Sequence, residues 1–337
     1  MINNELIKVL LDKNIFLSSK EKIYFKNKKI LILGSSGLIG LSILFGLFKI
    51  NKNLSITCSY NNFMFKFVLI FFKNFKNIKF IKVDLTKDTK KITNKFDLIY
   101  YCAGYGQPGK FLKNKLSTFI LHSKTIIDLK NNLNPKGKFI FMSSSEIYSG
   151  NDGKCDENSL GKTNTDHARS SYIESKRFAE SLVLSIFPNF LIYRVSLLYG
   201  PGARLDDERF LNEIIIKSIS MEKIIAKSKS LQLRRNLYVD DALNLIFTST
   251  VNSHNEIFNL SGNSKTTIYS MLKLISRITN KNLEFLNHND NSAPKNIDIS
   301  NIKIKKRFSY FKFVSLNNGI IKTIKWYRML YETNGVN

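Results

Sequence analysis

Tyr172 and Lys176 stand four residues apart in a run whose further members Ala179 and Val183 continue a helical spacing, so a helix here puts a phenol and an ammonium on one face. A tyrosine with its ordinary pKa near 10 is a poor base at neutral pH. A neighbouring ammonium stabilises the phenolate and brings it toward the working range. By itself such a pair is commonest on solvated helix faces. It gains weight from Phe139-Ile-Phe-Met-Ser143-Ser144-Ser145-Glu146-Ile147-Tyr148, about thirty residues earlier, which reads as a strand ending in hydroxyls. A parallel sheet delivers such a strand end to the same crevice at its carboxyl edge.

A second candidate for chemistry lies near the start. Ile30-Leu31-Ile32-Leu33 runs into Gly34-Ser35-Ser36-Gly37-Leu38-Ile39-Gly40 and then into the apolar run 41–48, so the glycines occupy a strand-to-helix turn. A dinucleotide's pyrophosphate is held by backbone N–H groups at a helix N-terminus, and side chains at the glycine positions would keep it away. The spacing is GxxGxxG, and a bland turn remains the alternative. On the cofactor reading, Gly34, Ser36, Gly37, Leu38, Ile39 and Gly40 form the phosphate cradle. The carboxylate that usually binds the adenosine ribose about twenty positions on is absent from Thr57-Cys-Ser-Tyr-Asn-Asn62. No arginine replaces it, although Lys66 is near, so the reading favours NAD and leaves NADP open. Asp84, in Val-Asp84-Leu85, can accept from an adenine amino group or simply cap the strand end.

The elements that must position these groups form a β–α alternation. Strands are expected at Lys29–Leu33, Ser55–Ser59, Ile78–Val83, Leu98–Cys102, Lys138–Met142 and Leu191–Val195, with helical or turn patterns between them. Such alternation builds a parallel sheet covered on both faces. The expected fold is therefore α/β, a doubly wound parallel sheet with a smaller C-terminal α/β lobe. Residues 1–27 read as an extension carrying one short helix (Glu5 to Leu11), 28–195 as the dinucleotide-binding domain, and 196–337 as a substrate lobe with some chain crossing back to the sheet. Helices are expected within the lobe at Glu208–Ser220, Asp240–Ser249, Ile268–Thr279 and Gly319–Tyr331.

With 337 residues, 43% apolar and 23% charged, the chain can bury a full core, which excludes a disordered tail or a disulfide-stapled miniature. Cys58, Cys102 and Cys155 have no CxxC spacing, and a reducing cytoplasm is the expected location. Apolar runs are too short to span a bilayer. The net charge of +26 comes largely from lysines scattered through Asn-, Ile- and Phe-rich sequence, a compositional bias without the dense patterning of a nucleic-acid site. His122, His167, His254 and His288 lack ligand spacing, so no metal is expected; Cys102 reads as a buried apolar side chain, and the Phe63–Phe72 stripe as core or interface.

Taken together, Gly34/Gly37/Gly40, Asp84-Leu85, Ala103-Gly104, Ser144, Tyr172/Lys176, Arg194-Val-Ser-Leu-Leu-Tyr-Gly-Pro-Gly and Tyr238-Val-Asp-Asp recur in the order of the extended short-chain dehydrogenase/reductases, and the chain resembles the NAD-dependent epimerase/dehydratase family over roughly residues 28–280. The resemblance implies a Rossmann domain, a tightly bound nicotinamide cofactor touching Ala103, Gly104 and Leu85 besides the glycine turn, and a nucleotide-diphosphate sugar as substrate. It makes Tyr172 the base at a sugar hydroxyl, usually at C4, Ser144 a hydrogen-bond partner of that oxygen, and Lys176 the ligand of the nicotinamide ribose that lowers the Tyr172 pKa.

The step after oxidation divides into branches. Ser144-Ser-Glu-Ile-Tyr148 is similar to a segment of UDP-glucuronate decarboxylases and GDP-mannose 4,6-dehydratases in which the glutamate joins the chemistry, so Glu146 implies a C5 step, decarboxylation or dehydration; C4 epimerisation is the alternative. The resemblance also places Ser145, Arg209 and Arg234 at the substrate and implies a homodimer through Phe111–Leu133 and Ser170–Phe187. Arg235 is either a second cation for an unusually anionic substrate or a solvated residue, and Arg194 is expected to pair with a carboxylate. From a different class, a non-catalytic Rossmann module binding RNA or an assembly partner is the rival; retention of Ser144, Tyr172 and Lys176 together speaks against it.

Overall fold

The computed structural model describes residues 2–226, 229–286, 297–308 and 311–333. Among them, seven short apolar runs pair in one parallel sheet: β1 (Lys29–Leu33), β2 (Ser55–Tyr60), β3 (Ile78–Lys82), β4 (Phe96–Tyr101), β5 (Leu133–Ser144), β6 (Phe190–Val195) and β7 (Glu256–Leu260). Their spatial order is β7-β6-β5-β4-β1-β2-β3, with Leu33 beside both Ser59 and Tyr101, and Phe141 beside Ile192. The chain reverses direction across the sheet between β1 and β4, and the crevice outside their carboxyl ends is where this topology binds ligands.

Alternation along β1 shows why both faces are covered. Ile30 and Ile32 join one core cluster with Leu41, Leu44 and Phe247; Leu31 and Leu33 join another with Ile126, Ala179 and Val183. On the first face lies α2 (Leu38–Ile50), most of whose residues are buried because a second helix, α5 (Val239–Asn252), covers it. The two approach so closely that a Cβ on Gly46 would come within 2.7 Å of the Phe247 ring. On the other face lies α3 (Ser170–Ile186), which carries Tyr172 and Lys176.

Beyond β6 the chain builds a lobe over the carboxyl edge from α4 (Phe210–Ser220), the helix Ile268–Thr279 and several two-stranded pairings, among them Leu197–Tyr199 with Asn236–Tyr238. It returns to the sheet through α5 and β7 before the closing helix α6 (Leu316–Thr333). Trp326 of α6 donates its indole N–H to the Ala203 carbonyl at 2.7 Å, pinning the loop that enters α4. The N-terminal helix α1 (Ile2–Leu11) buries Leu6 and Leu10 against the body, and Lys13 forms a buried ion pair with Asp240 at 3.2 Å.

The stretch 111–133 is built as separate short helices, Pro108–Lys113, Lys115–His122, Lys124–Asp128 and a 3-10 turn, because Asn114 and Ser123 leave helical geometry. One local expectation is corrected: β5 starts at Leu133 rather than Lys138. β7, from the mixed last third, is the chain's crossing back to the sheet.

Candidate active site

One cleft of about 1090 Å³ runs along the carboxyl edge and is lined by both the glycine turn and the Tyr172 region. At the turn, Gly34 has φ +74, and a Cβ there would lie 2.8 Å from the backbone of Ala103. Gly37 caps α2, and its amide closes the turn onto the Gly34 carbonyl at 3.1 Å. A Cβ at Gly37 would make only ordinary contact with the protein, so its empty side is the cleft itself. Ser36, Leu38 and Ile39 line the cleft at the first turn of α2, where backbone amides lack intrahelical partners. Gly40, expected among the cradle residues, is not in the lining: a Cβ there would collide with the Gly34 carbonyl, so this glycine lets the helix pack on the turn.

Asp84, Leu85, Ala103 and Gly104 continue the lining. One oxygen of Asp84 is already used locally, accepting from the Thr86 amide at 3.0 Å and its hydroxyl at 2.7 Å. Ser59, Tyr60, Asn61 and Asn62 line the wall after β2, where a ribose carboxylate is missing from the sequence. These features form a cradle for a dinucleotide: backbone amides at a helix N-terminus, with glycine where a side chain would intrude.

At the other end the hydroxyls that close β5 meet α3. Ser144, buried, accepts from the Glu146 amide at 3.2 Å and hydrogen-bonds the Tyr172 hydroxyl. Burial pushes the Tyr172 phenol up to about 12; the Ser144 hydrogen bond, Arg169 and Arg209 oppose the rise, and Glu146 adds to it. The expected pull of Lys176 on this phenol is not what the structure delivers. The Lys176 ammonium donates to the Met142 carbonyl at 2.7 Å and lies 5.9 Å from the centroid of the Tyr172 ring, and burial lowers its own pKa to about 7.

Glu146 pairs with Arg169 at 3.2 Å, and its second oxygen is buried without a partner. The Arg169 guanidinium sits over the Phe111 ring, which stacks on Tyr172 at 4.5 Å and 13°. Ser145, Arg209 and Arg234 all line the cleft as expected. Arg209 is bound by the buried Asp207 carboxylate, which also accepts from Asn212 at 3.0 Å. Arg234 donates to Gln232 at 2.7 Å, and the Glu146 carboxylate acts on its guanidinium.

Arg235 is not a solvated residue: it lines the cleft, pairs with Asp298 at 2.5 Å and donates to the Asn263 carbonyl at 2.8 Å, tying lobe segments together. Arg194 does pair with a carboxylate, forking onto Glu180 with contacts of 2.7 to 3.2 Å while also donating to the Tyr148 hydroxyl at 2.7 Å. Sequence reasoning gives Arg169 no role of its own; its position three residues before Tyr172, on the turn entering α3, is the available signal. No group of three or more His, Cys, Asp or Glu side chains suited to a metal ion occurs among the described residues, and His288 lies outside them. Likewise, no described helix is long and apolar enough to cross a membrane.

Dinucleotide cradle, tyrosine, lysine and serine in one cleft define the class, and comparison with known proteins gives the family. Residues 30–261 match the NAD dependent epimerase/dehydratase family, and the chain belongs to it. It is an enzyme of that family, and its cofactor is NAD. It is 23% identical over 314 residues to UDP-glucuronic acid decarboxylase 2 of Arabidopsis thaliana, covering 90% of this chain and 69% of that protein. It is 28% identical over 291 residues to the bifunctional polymyxin resistance protein ArnA of Wigglesworthia glossinidia brevipalpis, covering 77% of this chain and 43% of that one. Among solved structures, UDP-glucuronic acid 4-epimerase of Bacillus cereus in complex with NAD superposes with a TM-score of 0.73 at 21% identity, covering 90% and 99% of the two chains.

Proposed function

We propose that this enzyme oxidises a nucleotide-diphosphate sugar at C4 and then carries out a second step at C5, decarboxylation or dehydration. The observation that carries the reading is the placement of Tyr172, Ser144 and Glu146 around one end of a cleft whose other end is the dinucleotide cradle. NAD, when bound, supplies the two-electron acceptor at the sugar carbon. Tyr172 takes the proton of the C4 hydroxyl, Ser144 holds that oxygen, and Lys176 reaches the nicotinamide ribose. Oxidation at C4 acidifies C5 and lets a carboxylate there leave as carbon dioxide, its bonding electrons passing to the enolate of the C4 ketone, or lets water leave across C5 and C6; the hydride taken at C4 is returned to the sugar, so the product differs from the substrate only by carbon dioxide or water. Glu146, with one oxygen on Arg169 and one buried and unpartnered, is placed to move a proton or orient the ring in that second step. Arg234 and Arg209 line the path a diphosphate would take. Similarity to the UDP-glucuronic acid decarboxylases supports a uronate substrate and loss of carbon dioxide.

A homodimer belongs to the same reading. Leu116, Phe119 and Ile127 on the helices after β4, with Phe178 and Leu184 on α3, leave an apolar surface exposed.

The test is a panel of UDP-, GDP-, CDP- and dTDP-sugars incubated with the purified protein, products being read by mass. Loss of carbon dioxide or of water supports the reading; an isomer without mass change assigns a C4 epimerase instead. In Tyr172→Phe, turnover is expected to be abolished with cofactor still bound, and full activity there would refute the base. Glu146→Gln is expected to spare C4 oxidation and to block the second step; unchanged product formation removes Glu146 from it.

A further inference from the structure

His122 ends the helix Lys115–His122, is fully buried, and does not line the cleft. The Ser175 hydroxyl has one proton and two neighbours for it, the Tyr172 carbonyl and His122 Nδ1, each at 2.9 Å. With that proton on the Tyr172 carbonyl, the contact to His122 is donated by the imidazole, which puts the ring proton on Nδ1 and leaves Nε2 a bare lone pair. That nitrogen is buried and has no hydrogen-bond partner, a costly arrangement unless a donor is supplied.

The neighbouring donor of consequence is Lys176. A Cβ built on Gly104 would lie 3.2 Å from His122 Nε2 and 3.9 Å from Lys176 Nζ, so the two nitrogens flank the same glycine of the cleft wall. The remaining surroundings of the imidazole are the Phe141 and Tyr172 rings, at 6.2 and 6.3 Å. Burial and the Lys176 charge both keep the imidazole neutral. Below its lowered pKa of about 7 the Lys176 amine carries three protons and above it two, and one of them goes to the Met142 carbonyl, so a proton is left to donate in either state.

We propose that His122 is a positioning residue for Lys176: its Nε2 lone pair accepts from the ammonium on the Gly104 side, and with the Met142 carbonyl it stations the charge beside Tyr172. This rests on the reading of Tyr172 and Lys176 as the working pair. The imidazole exchanges no proton; it orients the lysine, and through Ser175 it also braces the turn of α3 that carries Tyr172.

The full chain labelled with 15N-histidine tests this without any substrate. The His122 ring, identified by its loss in His122→Gln, should be neutral with the proton on Nδ1 from about pH 5.5 to about pH 8.5. Its Nε2 resonance should move in Lys176→Met. A protonated Nε2, or no response to Lys176→Met, overturns the proposal. A kinetic arm uses NAD and UDP-glucuronate as the probe. His122→Phe should lower kcat by about ten- to a hundredfold, as expected for losing one hydrogen bond to a charged group. Glutamine places an acceptor near the Nε2 position and should recover most of the rate, whereas asparagine, which serves the Ser175 side, should not. Rescue by asparagine and not glutamine overturns the proposal in favour of a purely structural link; because these two variants are both polar and similar in size, the comparison survives misfolding of His122→Phe. Failure of the unmodified enzyme to convert UDP-glucuronate, UDP-glucose and dTDP-glucose to any product would count against the proposed oxidation, and the NMR arm alone then decides for or against His122.

Discussion

The two ends of the cleft are built from different material. After β1 the cradle is backbone: Gly34 in a left-handed turn against Ala103, Gly37 at the cap of α2, and the first amides of that helix. Around Tyr172 and into the lobe the work falls to charged side chains held by other charged side chains: Glu146 on Arg169, Arg209 on Asp207, Arg194 on Glu180 and Arg235 on Asp298. A backbone site depends on conformation at a few adjacent residues and tolerates almost no substitution there. A site of paired charges depends on residues far apart in the chain, and its members act on their neighbours: burial raises the Tyr172 phenol, Glu146 adds to the rise, and Arg169 and Arg209 pull against it.

The sharpest break in the comparison is at the backbone end. Gly34→Ala puts a methyl group into the Ala103 backbone from a φ that L residues rarely adopt, and neither neighbour is a flexible side chain. Cofactor affinity should fall by about a hundredfold or more, two conformational penalties of about 1–3 kcal/mol each. Copurified NAD and fluorescence titration measure it; retention of NAD at the original affinity would mean that the turn is not the cradle.

The same difference between the ends explains what can be read from the sequence. The glycine turn is legible because its constraint is local, three glycines between an apolar strand and an apolar helix. Tyr172, Lys176 and the hydroxyls after β5 are legible from spacing and from the rule that strand ends of a parallel sheet meet. The Arg235 ion pair is not legible because its partner Asp298 lies 63 residues on, and no local pattern announces that pairing. The Tyr172 pKa is misjudged for a related reason: spacing along a helix places Lys176 beside the phenol, but the ammonium turns to the Met142 carbonyl of the neighbouring strand. Helix periodicity reports which face a side chain leaves from, and long side chains choose their acceptor in three dimensions.

At the charge-built end the largest effect belongs to the most buried pair. Arg194→Met leaves Glu180 without its forked partner in the interior, and breaking such a pair costs about 3–5 kcal/mol. Denaturant unfolding should register the loss, and the double variant Arg194→Met/Glu180→Leu should regain much of it. A double variant no better than the single one would show that Tyr148 and the Glu157 carbonyl, the other acceptors of Arg194, matter more than the ion pair.

Asp241 sharpens the contrast through pH. Burial raises its pKa to about 7, with the Val314 amide pulling against the rise and Asp240 adding to it. Because the folded value lies above the unfolded one near 3.9, the folded chain binds the proton more tightly, and stability falls as pH rises from about 4 through about 7. Asp241→Asn removes that slope while keeping an acceptor for Val314. It should therefore be more stable than the parent by about 1–3 kcal/mol at pH 8 and should show no gain at pH 4, which thermal melts at the two pH values would record. Equal stability at pH 8 would show that the carboxylate is accommodated without strain.

The smallest effect is expected where the two ends meet. Lys110, on the short helix after β4, pairs at 3.1 Å with Asp206 of the lobe, and Asp206 also receives Arg204, whose guanidinium lies 3.9 Å from the centroid of the Phe63 ring beyond β2. All four residues line the cleft, and Arg204 follows the Ala203 carbonyl that Trp326 pins. Its members are partly exposed, so each pair is worth little and is screened by salt. Lys110→Ala should accelerate NADH release by only about two- to fivefold at low ionic strength, and the difference should vanish near 0.5 M salt, where the screening length falls to about 4 Å. Stopped-flow fluorescence across a salt series measures this. A difference that persists at high salt would mean that the lysine acts by packing rather than charge, and the division between a backbone end and a charge-built end would then not extend to the bridge between them.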